Sequence, residues 1–226
     1  EFMNILLIYP GFPGTFWSYK HALRFVRKKA AFPPLGLIPV AAMLPNDWSV
    51  RLADLNVGQM TDSDLDWADL VFISAMAAQR TSVRQIIGLC RAAGKKIVAG
   101  GPLFAAEHED FPAVDYFVLN EAEITLPLFL ADMKQGQPKR VYATSEFASR
   151  EQAPIPRWDL LDMSAYVAMS AQWSRGCPYD CEFCDVVNLF GHSPRVKTAP
   201  QMIDELRSLR EAGWRGKVFI VDDNFI

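Results

Sequence analysis

The sequence predicts an α/β protein whose N-terminal half is a parallel sheet with helices on both faces. Short apolar runs alternate with segments of helical periodicity from Asn4 to Met133. Unbroken apolar runs are typical of strands buried on both sides, and their alternation with helices favours a Rossmann-like, or flavodoxin-like, sheet. Three cysteines crowd into the eight residues from Cys177 to Cys184, which predicts a metal-binding unit in the C-terminal part.

The apolar runs predict five strands, at 4–9, 49–55, 70–76, 96–99 and 116–119. Between them the sequence predicts helices at 33–44, 81–93 and 124–133. The first of these helices begins at Pro33-Pro34, because proline suits a first helical turn. The second has one apolar face and ends at Gly94; that face consists of Val83, Ile86, Ile87 and Cys90. Cys90 is therefore expected to be a core residue.

Ligands of such sheets bind beyond the carboxyl ends of the strands, which lie here at 10–11, 74–79, 100–102 and 120–123. Glycines at these ends would let a large ligand approach the backbone, although an ordinary loop explains each of them equally well. The segment from 136 onwards lacks periodicity and contains three prolines, so it is predicted to be a linker. The predicted division is a domain at 1–135, a linker at 136–165 and a second domain at 166–226.

Composition narrows the possible partners. The formal charge of −3 over 226 residues argues against nucleic acid. Four cysteines are too few for a disulfide scaffold and favour a reducing compartment, and the longest uncharged stretch, 30–46, is too short and too rich in proline to span a bilayer. A cytoplasmic location is expected. The basic run at 24–29 is interpreted as solvated surface, with an anionic substrate or membrane headgroup as the alternative.

The most specific feature is Arg175-Gly-Cys-Pro-Tyr-Asp-Cys-Glu-Phe-Cys184, in which the cysteines are spaced C-x3-C-x2-C. Thiolates at these separations can point inward from one tight loop. Three of them would leave one iron of a [4Fe–4S] cluster without a protein ligand, open to a bound substrate. The alternative is a structural zinc site, which would need His192 or Asp185 as its fourth ligand.

This loop, with an aromatic residue before its last cysteine, resembles the hallmark of the radical S-adenosylmethionine (SAM) superfamily. Other segments are similar to the members that have an N-terminal cobalamin-binding domain, within the branch that includes hopanoid and bacteriochlorophyll-type methylases. These segments are Pro33-Pro-Leu-Gly-Leu37, Gly100-Gly-Pro102, Ile155-Pro-Arg-Trp-Asp-Leu160 and Val221-Asp-Asp-Asn-Phe225. The resemblance implies reductive cleavage of SAM to a 5′-deoxyadenosyl radical and cobalamin-dependent methylation of an unactivated carbon.

The resemblance also implies roles for individual residues. The cluster ligands would be Cys177, Cys181 and Cys184, and Phe183 would lie beside the adenine of SAM, with plain packing as its alternative role. Asp222, Asp223 and Asn224 would support the amino group of SAM, unless Asp222 or Asn224 caps a helix. They follow a strand predicted at 217–221, after a helix that opens with a capping box at 198–201 and buries Met202, Ile203, Leu206 and Leu209. The cobalamin contacts would be Ser74, Met76, Gln79, Gly100, Gly101 and Pro102.

None of His21, His108 and His192 stands in the D-x-H-x-x-G motif that supplies an axial ligand to many cobalamin domains. Either cobalamin binds without a histidine ligand, or the domain has lost it. The alternatives to a methylase are a radical SAM enzyme with a vestigial cobalamin domain and non-methylating chemistry, and a non-enzymatic zinc- or corrinoid-binding module. Expected partners are a small-molecule substrate, lipid-like or tetrapyrrole, and an electron donor such as flavodoxin or ferredoxin. The family's barrel needs further strand–helix units, so we expect a truncated chain with little turnover and oligomerisation through the incomplete sheet.

Overall fold

The computed structural model describes residues 2–15 and 20–224, and a six-stranded parallel sheet forms the core of these residues. Its strands are β1 (Asn4–Tyr9), β2 (Ser49–Asp54), β3 (Leu70–Ser74), β4 (Lys96–Gly100), β5 (Tyr116–Val118) and β6 (Val141–Tyr142). Their order is β2-β1-β3-β4-β5-β6, so the first five follow the flavodoxin-like order. The fold class predicted from the sequence is confirmed.

Helices cover both faces of the sheet. They are α1 (Lys20–Phe25), α2 (Leu37–Ala42), α3 (Asp62–Trp67), α4 (Arg80–Ala92), α5 (Pro102–Glu107) and α6 (Ala122–Lys134). Successive side chains of a strand point to opposite faces. Leu6 and Ile8 of β1 accordingly pack with α3, α4 and α5, whereas Ile5 and Leu7 pack with α2 and α6. All four side chains are at most 1% exposed, which explains the unbroken apolar run of this strand.

Three predictions about this half need correction. Helix α2 begins at Leu37 rather than at Pro33, because residues 33–36 form a turn in which the N–H of Leu35 donates to the carbonyl of Pro33 and that of Leu37 to the carbonyl of Pro34, both at 2.9 Å. Helices α3 and α5 were not predicted, although a capping box between Thr61 and Asp64 marks the start of α3. The segment predicted as a linker contributes β6, which extends the sheet by pairing in parallel with β5.

The C-terminal part is a βαβ unit with an inserted hairpin. Its elements are β7 (Met169–Ala171), β8 (Ser174–Arg175), α7 (Val186–Phe190), β9 (Arg195–Val196), α8 (Ala199–Glu211) and β10 (Val218–Ile220). Strands β7 and β10 pair in parallel, and the cysteine loop lies within the antiparallel hairpin of β8 and β9. The predicted capping box, Thr198 with Gln201, starts α8. Of the four residues predicted to be buried, Leu209 is buried and Met202 and Leu206 are half-buried, whereas Ile203 is 52% exposed; Glu205, which was not predicted to be buried, is 2% exposed.

A third apolar cluster joins the two parts, with Ile38 of α2 packed among Trp158, Tyr166 and Met169. Tyr166 also donates a hydrogen bond from its hydroxyl to Asp54 Oδ2 at 2.8 Å, across 112 residues of sequence. Both side chains are buried, so this bond gives the Tyr166 hydroxyl and the Asp54 carboxylate a hydrogen-bond partner where water is excluded. In the part of the chain that the structure describes, no helix has the length and apolar character to cross a bilayer.

We expect Tyr166→Phe to lower the free energy of unfolding by about 1 to 3 kcal/mol, because Asp54 would lose a donor at a buried position. The measurement is urea unfolding followed by circular dichroism. Tyr179→Phe is the matched control: Tyr179 is 59% exposed, and its replacement should change stability by less than about 0.5 kcal/mol. Equal effects of the two substitutions would contradict a structural role for the Tyr166–Asp54 contact.

Candidate functional site

A crevice is expected beyond the carboxyl ends of β1 and β3, where the direction of the chain through the sheet reverses. From β1 the chain moves to one side of the sheet, into β2, and from β3 it moves to the other side, into β4. Doubly wound sheets bind ligands at this switch point. Here it is bordered by Pro10-Gly11 after β1 and by 75–79 after β3. These are two of the four strand ends that the sequence predicted.

Gln79 joins the two loops at this edge and is completely buried. Its Nε2 donates to the carbonyl of Pro10 at 2.5 Å, and its Oε1 accepts from the backbone N–H of Met76 at 2.9 Å. Asn56 Nδ2 donates to the same Pro10 carbonyl at 3.1 Å. The buried amide of Gln79 therefore links the loop after β1 to the loop after β3. The side chain of Met76, in contrast, is 49% exposed and available to a ligand.

The glycine turn after β4 is required by close packing of the neighbouring strand end. Gly101 has a φ of +88°, and a Cβ atom there would lie 2.6 Å from Ser74 Oγ. A Cβ atom on Gly100 would lie 2.6 Å from the carbonyl oxygen of Val118. Pro102 is the first residue of α5. Close packing therefore explains the two glycines without a ligand. The turn lies beside the half-buried Ser74.

A buried carboxylate at the end of β2 lies near this edge, and the sequence analysis did not single it out. Asp54 accepts from the backbone N–H and Nδ2 of Asn56, both at 2.8 Å, in addition to Tyr166. Burial raises the pKa of Asp54, and burial together with the charge of Asp54 raises the pKa of Tyr9 to about 12. The only sequence signal was an acidic residue at the end of an apolar strand. These bonds leave the edge preformed.

The cysteine loop leaves β8 and returns through α7 to β9. Cys177 is half-buried and its N–H donates to the carbonyl of Gly191 at 3.2 Å, whereas Cys181 and Cys184 are exposed. Across residues 2–15 and 20–224, no three His, Cys, Asp or Glu side chains are arranged so that they could hold a metal ion. The loop therefore assembles neither the three-thiolate site nor a zinc site with His192 or Asp185.

The donor set nevertheless fits iron in chemical terms. Three cysteine thiolates are the ligands that iron–sulfur clusters use. Because the loop from Pro178 to Asp185 is exposed, its sulfurs can gather without repacking of the core. Phe183 is 93% exposed, so packing within the described part of the chain does not account for this aromatic residue.

The acidic motif after β10 holds the strand that enters the loop. Asp222 accepts from the N–H of Trp173 at 2.8 Å and from the hydroxyl of Ser174 at 2.9 Å, and Asp223 accepts from the N–H of Gly176 at 3.2 Å. Burial and the neighbouring charge of Asp222 raise the pKa of Asp223. The hydrogen bond from the Gly176 N–H and the charge of Arg175 lower this pKa in part, without reversing the shift. Asn224 Nδ2 is buried and has no hydrogen-bond partner within the described ranges. The motif thus lies beside the loop, although Asp222 is engaged within the protein.

Residues 26–130 match the model of the B12 binding domain, and they coincide with most of the six-stranded sheet and its helices. The chain contains a B12 binding domain. This confirms the domain that the sequence resemblance implied. The switch point between β1 and β3 is consequently the candidate corrinoid edge of the B12 binding domain.

Relatives of the whole chain include two methylating enzymes by name. The uncharacterized methyltransferase sll1242 of Synechocystis is 46% identical over 226 residues, which are 99% of this chain and 42% of the relative. The hopanoid C-2 methylase of Rhodopseudomonas palustris is 38% identical, over 99% of this chain and 43% of the relative. The predicted resemblance to the hopanoid methylase branch is confirmed. The chain spans less than half the length of these relatives.

A solved structure matches both the B12 binding domain and the C-terminal part. It is the radical S-adenosylmethionine methyltransferase TsrM from Kitasatospora setae, with cobalamin and a [4Fe-4S] cluster bound. The TM-score is 0.70 over 99% of this chain and 48% of that chain, at 15% sequence identity. At this identity the match shows the fold alone.

We expect Gly101→Ala to destabilise the B12 binding domain more than Gly94→Ala does. Both glycines have positive φ, +88° and +67°, but only the new Cβ at position 101 would meet neighbouring atoms, whereas position 94 faces open space. The shared backbone strain costs about 1 to 2 kcal/mol, and the contact with Ser74 and Ala75 should add about 1 kcal/mol or more. Urea unfolding of the two variants measures the difference, and equal losses would show that the close packing at position 101 is unimportant.

Proposed function

We propose that this chain provides the corrinoid-binding and cluster-binding parts of a cobalamin-dependent radical SAM methylase. The observation that carries the proposal is the presence, in one chain, of a B12 binding domain at 26–130 and of a loop with three thiols at Cys177, Cys181 and Cys184. Homology to the hopanoid C-2 methylase, and a fold shared with TsrM, support the same assignment.

With both groups bound to the protein, the cluster would supply the electron that cleaves SAM, and the corrinoid would supply the methyl group. Cys177, Cys181 and Cys184 are the proposed cluster ligands. Phe183 would lie beside the adenine and its ring would shield the cluster, which its 93% exposure leaves it available to do. Asp222 and Asp223 would fix the backbone at the entrance to the loop, and the buried amide of Asn224 is the group best suited to a SAM contact.

The corrinoid would lie on the edge formed by Ser74, Met76 and the turn from Gly100 to Pro102, with Gln79 holding that edge in place. No axial histidine is proposed. The ring of His108 packs against Phe117 with centroids 5.5 Å apart, and His192 is exposed on the cysteine-loop hairpin. The side chain of His21 lies outside the described residues.

The proposed substrate is a small molecule of lipid-like or tetrapyrrole character. Relatives named for such substrates support this class, among them the hopanoid C-2 methylase and the bacteriochlorophyllide d C-12(1)-methyltransferase of Chlorobaculum tepidum. An electron donor such as flavodoxin or ferredoxin would reduce the cluster. A cytoplasmic location and oligomerisation stay predictions.

Anaerobic reconstitution with iron and sulfide tests the cluster assignment. We expect about four iron atoms per chain and the broad visible absorbance of a [4Fe–4S] cluster, both lost in Cys181→Ala. Cys90→Ala is the control: Cys90 is fully buried in the sheet domain, and burial raises the pKa of its thiol to about 11, so it should not bind metal. Zinc without iron in the loop, or equal iron in Cys181→Ala, would refute the proposal.

A further inference from the structure

Two glutamates that follow β5 point inward and pair with arginines of the cysteine-loop hairpin. Glu121 is 2% exposed, and its Oε1 accepts from Arg195 Nη2 at 2.5 Å. Glu123 Oε1 lies 3.0 Å from Arg175 Nη1. The same guanidinium nitrogen lies 3.6 Å from Glu121 Oε2, so Arg175 stands between the two carboxylates. Both glutamates belong to the carboxyl edge of the B12 binding domain.

The two arginines hold opposite ends of the cysteine loop. Arg175 immediately precedes Gly176 and Cys177, and its Nε donates to Gln172 Oε1 at 2.9 Å. Arg195 follows the loop, where its Nη2 also donates to the carbonyl of Phe190 at 3.0 Å. The loop is therefore clamped to the sheet edge at its entrance and at its exit, whereas its middle is exposed.

A third arginine, in the segment between the B12 binding domain and the C-terminal part, pairs with Glu123. Arg150 Nη1 lies 3.3 Å from Glu123 Oε1, and the arginine side chain is 3% exposed. Although burial acts to raise the pKa of Glu123, the charge and hydrogen bond of Arg175 lower it overall. Burial, followed by the charge of Arg175, lowers the pKa of Arg150 to about 10. Five charged side chains from four segments therefore share one desolvated site.

Burial distinguishes this network from the surface ion pairs of the protein. The pair Arg157–Asp159 is 41% and 60% exposed, and exposed pairs add little to stability. Removing one member of a buried pair instead leaves an uncompensated charge away from water. Loss of Arg175 would leave Glu123 with Arg150 and Glu121 with Arg195, but would remove the direct link between β8 and these two carboxylates, which would leave Asp222, Asp223 and the pairing with β9 to hold the strand that leads to Cys177.

We propose that Arg175 is a positioning residue that fixes the cysteine loop against the corrinoid edge through Glu121 and Glu123. The inference deepens the proposed function, and it rests on that function for the identity of the two ligands. A corrinoid at the edge would further stabilise the segment that carries Glu121 and Glu123, and the arginines would transmit this stabilisation to the loop. Coupling between two sites requires a physical element of this kind, on which both ligands act.

Hydrogen–deuterium exchange of the full chain tests the proposal. In Arg175→Met, without ligand, amides in 176–191 should exchange about tenfold faster, while β1 to β4 keep their protection. Arg157→Met is the matched control and should leave 176–191 unchanged. Unchanged exchange of 176–191 in Arg175→Met, or an equal increase throughout the sheet, would overturn the proposal.

Hydroxocobalamin provides the readout that a purely structural role would not change. At saturating concentration it should slow exchange in 176–191 of the unsubstituted chain but not of Arg175→Met, and Arg175→Met should bind the corrinoid correspondingly more weakly, because coupling between two sites is reciprocal. Binding without any effect on the loop of the unsubstituted chain would overturn the coupling. Failure of both proteins to bind would refute the proposed function instead, and the comparison without ligand would still decide the positioning role.

Arg175→Lys covers the case in which Arg175→Met does not fold. Lysine keeps the positive charge but loses the planar guanidinium, whose Nη1 lies near both carboxylates while its Nε donates to Gln172. Exchange in 176–191 should therefore increase, by less than in the methionine variant, and the sheet should remain protected. A lysine variant that exchanges like the unsubstituted chain would overturn the proposal, because charge alone would then suffice.

Discussion

Parallel pairing of β1 with β3 is the constraint on which the arrangement of this protein depends. Because the six strands of the main sheet run in one direction, their carboxyl ends meet at one edge. Pro10, Ser74 and Gly101 are far apart in sequence but belong to this edge, and Gln79 ties two of its loops together. The edge is built by hydrogen bonds and close backbone packing within the chain, so it exists before a ligand arrives.

The C-terminal part is joined to the sheet by apolar contacts and by buried charges. Tyr166 donates a hydrogen bond to Asp54 at the end of β2. Arg175 and Arg195 form ion pairs with Glu123 and Glu121 after β5. Buried ion pairs contribute little net stability, but they discriminate strongly against arrangements that would leave a charge unpaired. The network therefore specifies where the cysteine loop lies relative to the sheet.

Sequence reasoning succeeded where a pattern is local. Apolar runs predicted β1 and β4, and a capping box predicted the start of α8. It missed β6, which has two residues and no periodicity. The burial of Glu121 could not be predicted either, because its partner Arg195 lies 74 residues away. The cysteine spacing predicts ligands, which the described residues do not gather into one site; under the proposed function the metal would gather them, since metal binding and local folding are coupled.

The most direct test of the corrinoid edge is titration of this chain with hydroxocobalamin, followed by visible absorption. The edge predicts saturable binding of one corrinoid per chain, weakened about tenfold by Met76→Asp, since Met76 is exposed there. Leu89→Asp, which replaces a similarly exposed apolar residue within α4, should bind like the unsubstituted chain. An absence of binding, or equal binding by all three proteins, would contradict this account.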